Sequence, residues 1–338
     1  MNGHMDGNRM GFNATSAATL RIGLFIAGIV LLGTIEFLET DTLFAGIQFE
    51  EIFIFRLTGY ANLVLVGSTV LYFGHMWSGS ESVGRWASGM ALLGSSTSIV
   101  ALVWRWIETY YLHRLGHIPL NSLYEMMSLF SAMTVLIYLV MEHVYRTRAA
   151  GAFVMLIVFG AVVFQVWLVA NDQAIPGAHV RVLKSYWMYA HVLGSFFGYG
   201  AFAVAAAMGA AYLVRARAES LGRSTGFAVQ SLPELRSIDG LMHRAIVVGF
   251  PLFGLATVLG SVWSYEAWGR YWAWEPKETW ALLVCLTYGS YFYCRWVNKL
   301  HGRSMAWWTI AGFAITVFCF LGTRMLEPGL HAIGRAIS

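Results

Sequence analysis

The chain has 338 residues, of which 58% are hydrophobic and only 12% charged, and its mean hydropathy is +0.60. Soluble proteins carry about 25% charged residues, so this chain has too little polar surface to cover a water-facing globule of its size. What remains is an all-α polytopic integral membrane protein, and the net charge of +4 comes from cations scattered in ones and twos, with no basic stripe to suggest nucleic acid.

The first 17 residues are polar and lack the charged, apolar and small-residue sequence of a leader. A polar tail over 1–17 and no cleaved signal peptide are therefore expected, followed by a single helical membrane domain over 18–338. A bilayer core takes roughly 20 apolar residues per helix. On that scale nine spans are predicted: 18–35, 54–75, 86–106, 122–141, 151–170, 187–213, 243–264, 281–297 and 305–323. Eight is the alternative, because the third contains Ser95, Ser96, Thr97 and Ser98. Cys285, Cys294 and Cys319 all fall in apolar segments without a C-x-x-C pair, so neither a disulfide framework nor thiol exchange is expected.

Nine spans put the termini on opposite sides. With the amino terminus cytoplasmic, 13 of the 22 cations lie inside, including the clusters at 215–244 and 295–303. The loop 265–280 and the tail beyond Arg324 then face outward.

That loop carries most of the information. Five of the fourteen tryptophans fall in residues 263–280, around Trp268-Gly269-Arg270-Tyr271-Trp272-Ala273-Trp274-Glu275-Pro276-Lys277-Glu278-Thr279-Trp280. Trp and Tyr form belts at membrane interfaces, but a belt needs only a ring or two per helix end. This density of flat aromatic faces suits a large planar apolar ligand, with Arg270 and Lys277 available to its acidic edges.

Ten histidines are present. His75, His143, His243 and His301 fall at the inner ends of spans or in inner loops, where an interfacial polar tip is the plain reading. His113, His117 and His179 belong to outer loops, and His4 to the tail. His191 and His331 stand apart: one begins the sixth span and the other follows the ninth, both on the face where the aromatic loop emerges. Imidazole is a good axial ligand for haem iron. Among the acids, Glu36, Glu39, Asp41, Glu50 and Glu51 read as a solvated outer loop. Glu125 falls inside the fourth span and needs a partner there. No phosphate-loop, nucleophile-elbow or H-E-x-x-H pattern occurs.

The aromatic run resembles the tryptophan-rich WWD motif of the CcsA/ResC family of cytochrome c biogenesis proteins, the haem-handling subunit of system II. Ile118-Pro-Leu-Asn-Ser-Leu-Tyr-Glu125, Lys184-Ser-Tyr-Trp-Met-Tyr-Ala-His191, Gly198-Tyr-Gly-Ala-Phe-Ala203 and Gly329-Leu-His331 resemble further segments of that family. The resemblance spans a core at 118–331, about two thirds of the chain. It implies haem transport, with haem b as substrate and ligand. His191 and His331 would be the metal ligands, and Trp268, Gly269, Arg270, Tyr271, Trp272, Trp274, Glu275, Pro276, Lys277, Glu278 and Trp280 would surround the ring. Tyr293 stands where family members have a second, inner histidine; it is either a ligand in its place or an interfacial tyrosine, and His75 is another substitute. Glu275 replaces the family's more usual Asp.

The function implied is that of the haem-delivering subunit of a cytochrome c synthase, carrying haem to the outer face for thioether attachment to apocytochrome c at C-x-x-C-H motifs. A CcsB/ResB-type membrane subunit, apocytochrome c and the lipid bilayer are the implied partners. The implied location is a bacterial cytoplasmic or thylakoid-type membrane, with the haem site on the periplasmic or lumenal side. Two other readings stay open: a haem-binding regulator of the HemX type, and a transporter of another amphipathic ligand.

Overall fold

The computed structural model describes residues 49–111, 120, 122–148, 150–171, 185–222 and 231–322. They form eight helices: α1 (Phe49–Ser78), α2 (Glu81–Tyr111), α3 (Leu123–Tyr145), α4 (Gly151–Ala170), α5 (Tyr186–Ser220), α6 (Leu235–Trp268), α7 (Pro276–Trp296) and α8 (Arg303–Phe320). No strand occurs among the described residues. Seven of the helices are long and apolar enough to cross a membrane. The exception is α7, which carries Lys277, Glu278 and Arg295 beside several tyrosines and hydroxyls. The eight helices coincide with the second to ninth predicted spans; the first, 18–35, lies outside the described residues.

The serine-rich third span is a continuous helix for a local reason. Ser95, Thr97 and Ser98 donate to the carbonyls of Ala91, Leu93 and Gly94 at 2.9, 2.9 and 3.1 Å. A hydroxyl satisfied by its own helix no longer needs water. Glu125 is likewise accounted for. It closes a capping box with Ser122 at the start of α3 and faces Arg105 of α2 at 3.9 Å, both side chains buried.

Helix α5 is the hub. It packs along α6 and also against α8, α3 and α4, while α1 packs on α2 and α4, and α7 packs chiefly on α8. Small residues make this closeness possible. A Cβ on Gly198 would fall 2.7 Å from that of Phe253, and one on Gly249 of α6 would fall 2.6 Å from that of Ala201. At Gly209 it would meet the carbonyl oxygen of Ala306 in α8 at 2.8 Å. The Gly-Tyr-Gly-Ala-Phe-Ala run is thus a helix-packing surface. Phe202 within it stacks on Tyr288 of α7 at 3.7 Å.

Most of the helices run a few residues past their predicted spans, and two overrun them furthest at a single end. α5 continues to Ser220, past Arg215, which pairs with Glu219 at 2.8 Å one turn on. α6 begins at Leu235, eight residues before the predicted start at 243. Both extensions are polar, so the apolar count stops short while the backbone stays helical. The practical result is that His243 lies within α6 and not at its tip.

Candidate functional site

At one end of the molecule the start of α5, the end of α6, the start of α7 and the end of α8 come together. Ser185 is the N-cap of α5, accepting from the Trp187 amide at 3.3 Å. The same hydroxyl donates to the Glu266 carboxylate near the end of α6. This clamp fixes the register of α5 against α6. In the second turn of α5 lies His191, half-buried, with Nδ1 2.6 Å from the carbonyl oxygen of Ala256 on α6. A carbonyl only accepts, so Nδ1 carries the proton and, in the neutral ring, Nε2 keeps its lone pair. Histidines that ligate metals are oriented in this way, the second ring nitrogen donating to a backbone carbonyl. The ring packs closely against Gly260, where a Cβ would approach Nδ1 to 2.5 Å.

The tryptophan-rich segment is more helical than the predicted loop 265–280. α6 runs on through Trp268, and Gly269 ends it at φ 72°, donating to the Tyr265 carbonyl at 2.9 Å. The connection proper is 269–275. Pro276 occupies the first turn of α7, and Glu275 and Glu278 form a capping box. Glu278 accepts from the amides of Ala273 and Glu275 at 2.7 and 3.3 Å. So Glu275, Pro276 and Glu278 work as helix-start residues, a signal readable in the sequence as an acid, a proline and an acid three positions on.

This bracing holds Trp274 in the left-handed region at φ 58°, a conformation that costs a non-glycine residue roughly 1–2 kcal/mol. Its indole is left 70% exposed. Around it, Trp272 meets Trp274 edge-on at 5.8 Å, Tyr265 and Tyr271 stack at 4.4 Å, and Trp280 packs on Phe318 of α8 at 4.2 Å. Arg270 is exposed and Lys277 half-buried. Two indole N–H groups, of Trp268 and Trp272, are buried without a hydrogen-bond acceptor. A buried indole N–H ordinarily finds one, so this end offers two donors to an acceptor that the described residues do not supply.

Glu278→Ala should lower thermal stability in detergent by about 1–2 kcal/mol, the usual worth of a lost cap. Glu278→Gln, which can still close the box, should not. Melts of the two variants, followed by tryptophan emission, check this.

The structure therefore brings His191 and the aromatic segment to one end. α8 finishes there too, with Phe320 against Phe196 and Tyr199 at 5.5 and 5.6 Å. His331 lies outside the described residues. Tyr293 is not part of this group: it sits near the far end of α7, roughly 25 Å along the axis from Pro276, and is 59% exposed. His75 is buried, its Nδ1 2.9 Å from the Ser80 carbonyl in the α1–α2 turn.

Sequence reading missed a cluster at that far end. Arg295 of α7 grips Asp239 of α6 with two hydrogen bonds of 3.0 and 2.6 Å, and Asp239 also accepts from the Gly302 amide at 3.0 Å. One turn further along α6, His243 stacks on Tyr291 with ring centroids 5.9 Å apart. Asp239 precedes the predicted span 243–264 and Arg295 falls near the end of the span 281–297, but nothing in a linear reading pairs residues so far apart.

Fold and site together define a polytopic helical membrane protein that presents an oriented imidazole beside a crown of aromatic rings. Residues 120–331 match the family of cytochrome C assembly proteins. The cytochrome c biogenesis protein CcsA of Guillardia theta is 31% identical over 260 residues, covering 73% of this chain and 84% of that one. CcsA of Synechococcus sp. (strain WH7803) is 30% identical over 285 residues, with 75% and 87% covered. The solved structure of the cytochrome c haem lyase CcmF shares the fold, with a TM-score of 0.60 at 18% identity. It covers 87% of this chain, which spans half of CcmF's length. This chain belongs to the cytochrome c assembly protein family.

Proposed function

We propose that this protein acts in cytochrome c biogenesis as the haem-delivering subunit of a synthase of the system II type. Nε2 of His191 takes one axial position of the iron and His331 the other. Trp268, Trp272, Trp274 and Trp280 flank the macrocycle, and Arg270 and Lys277 meet its propionates. Tyr293, at the other end, is an inner contact on the path of entry. The site faces the periplasm or lumen, with the amino terminus cytoplasmic. There a C-x-x-C-H segment of apocytochrome c docks, and each thiol adds across a haem vinyl group, so the S–H hydrogen and the sulfur both end on the former double bond and nothing leaves. This chain's contribution is to bind, orient and shield. A CcsB/ResB-type subunit completes the complex.

The observation that carries this reading is the His191 ring, its Nδ1 committed to Ala256 and its tautomer thereby suited to a metal at Nε2. The two acceptor-less indole N–H groups and the exposed rings of Tyr271 and Trp274 fit an amphipathic, carboxylate-bearing aromatic ligand.

The test is the reduced visible spectrum of the purified protein, recorded beside the His191→Ala/His331→Ala double variant. A low-spin bis-histidine spectrum is expected in the parent and its loss, or conversion to high spin, in the variant. Haem held equally by both would move the site elsewhere. No haem at all, with the partner subunit co-expressed, would favour a transporter of another ligand.

A further inference from the structure

A second polar system crosses the molecule in the α1–α4 half, away from the aromatic end. Along α3, Glu125, Ser128, Ser131, Thr134, Tyr138 and Glu142 follow one another at steps of three or four residues, so each side chain neighbours the next on the helix surface. All six are buried. The ladder has a carboxylate at each end, and Glu125 and Glu142 stand roughly 25 Å apart along the axis, most of the thickness of a bilayer core.

Polar side chains from neighbouring helices converge on it. Gln165 of α4, fully buried, donates to Ser128 Oγ at 2.9 Å and to the Tyr124 carbonyl at 3.1 Å, and accepts from Asn62 of α1 at 2.7 Å. At one end Glu125 faces Arg105. At the other, Glu142 accepts from Tyr72 at 2.7 Å, from Ser88, and from Arg148 Nε at 3.1 Å. Tyr138 donates to the Arg148 carbonyl at 3.1 Å. Arg148 passes on to Glu81 at 2.8 Å, whose side chain is 68% exposed, so this end reaches solvent.

The middle of the ladder differs from a packing network. The Ser131 and Thr134 hydroxyls and Asn62 Oδ1 are buried and make no hydrogen bond to protein, whereas the helical hydroxyls of Ser128, Ser95 and Ser98 all bond back to their own helix. Hydroxyls with spare donor and acceptor capacity, lying between two buried carboxylates, are the arrangement that relays protons through membrane proteins, with water bridging where side chains fall short.

We propose that α3, with Asn62 and Gln165, forms a transmembrane proton relay between Glu142 and Glu125. A proton enters through Glu142, passes along Tyr138, Thr134, Ser131 and Ser128 with bridging water, and leaves through Glu125. Each hydroxyl accepts one proton as it gives up another, and no electron moves and no heavy-atom bond changes.

The experiment uses the full chain reconstituted into liposomes that trap a pH-sensitive dye, with a potassium diffusion potential as driving force. Proton entry faster than in protein-free liposomes is expected. It should fall to the protein-free rate in Glu142→Gln and in the Ser131→Ala/Thr134→Val double variant. The second variant removes only unpaired hydroxyls, so it keeps the relay testable if loss of the Glu142 carboxylate disrupts folding. A parent no faster than empty liposomes would overturn the proposal, and so would hydroxyl variants as fast as the parent.

Discussion

Gly260→Ala is expected to weaken haem binding by about 10–100-fold, the usual effect of disturbing the group that orients a metal-ligating histidine, while leaving the fold intact. The added Cβ would lie 2.5 Å from Nδ1 and 2.7 Å from Cε1 of His191. The α6 backbone is held by its packing on α5, so the imidazole must swing away and surrender its bond to the Ala256 carbonyl. With that bond goes the fixed tautomer and the direction of Nε2. The helix itself gains, because alanine in a helix interior is better than glycine by about 1 kcal/mol. Loss of haem without loss of stability therefore separates an effect on the ligand from an effect on folding. Gly254→Ala is the control on the same helix: its Cβ would meet nothing within 4 Å, and it should bind as the parent does. Haem titration of the apoproteins, paired with thermal melts, reads both. A Gly260→Ala protein that binds haem like the parent would mean that the orientation of His191 does not matter to the site.

Much of this architecture is legible in the sequence because a membrane helix is written in one dimension. The apolar count located α1 to α8 without knowledge of their packing. It failed at the ends of α5 and α6, where Arg215, Arg217 and Glu219, and Arg236 and Asp239, are helical yet polar; apolarity reports the bilayer and not the helix. The site was half legible. The aromatic density and His191 stand out in the sequence, and Glu275, Pro276 and Glu278, expected there as ligand contacts, also start α7. What no linear reading supplies is pairing across the bundle. The Ala256 carbonyl that orients His191, the glycine beside its ring and the ladder along α3 arise only once α5 is seated on α6, and α3 against α1 and α4.

The largest loss of stability is expected at the far end of α7. Asp239 and Arg295 form a two-bond ion pair with side chains only 13% and 8% exposed. Removing one member leaves a buried charge without its partner, which typically costs about 3–5 kcal/mol. Asp239→Ala should be the worse of the two, since it also orphans the Gly302 amide and so loosens the α7–α8 turn. Arg295→Met should follow closely. The double variant Asp239→Leu/Arg295→Met is expected to recover most of the loss, because two apolar side chains replace a pair whose desolvation offsets much of its attraction. Thermal unfolding in detergent, run as a double-mutant cycle, gives the coupling; single variants melting with the parent would show the pair to be idle. The consequence reaches the other end of α7. That helix is weakly packed on α6: Trp280 against Phe318 ties it to α8 and Tyr288 against Phe202 ties it to α5, whereas at the far end its anchor to α6 is the Asp239–Arg295 pair beside the His243–Tyr291 stack. With one anchor gone, α7 can tilt away from α6 and carry Trp274 and Trp280 with it. The single variants should therefore lose haem at temperatures where they are still folded, whereas the double variant should keep it.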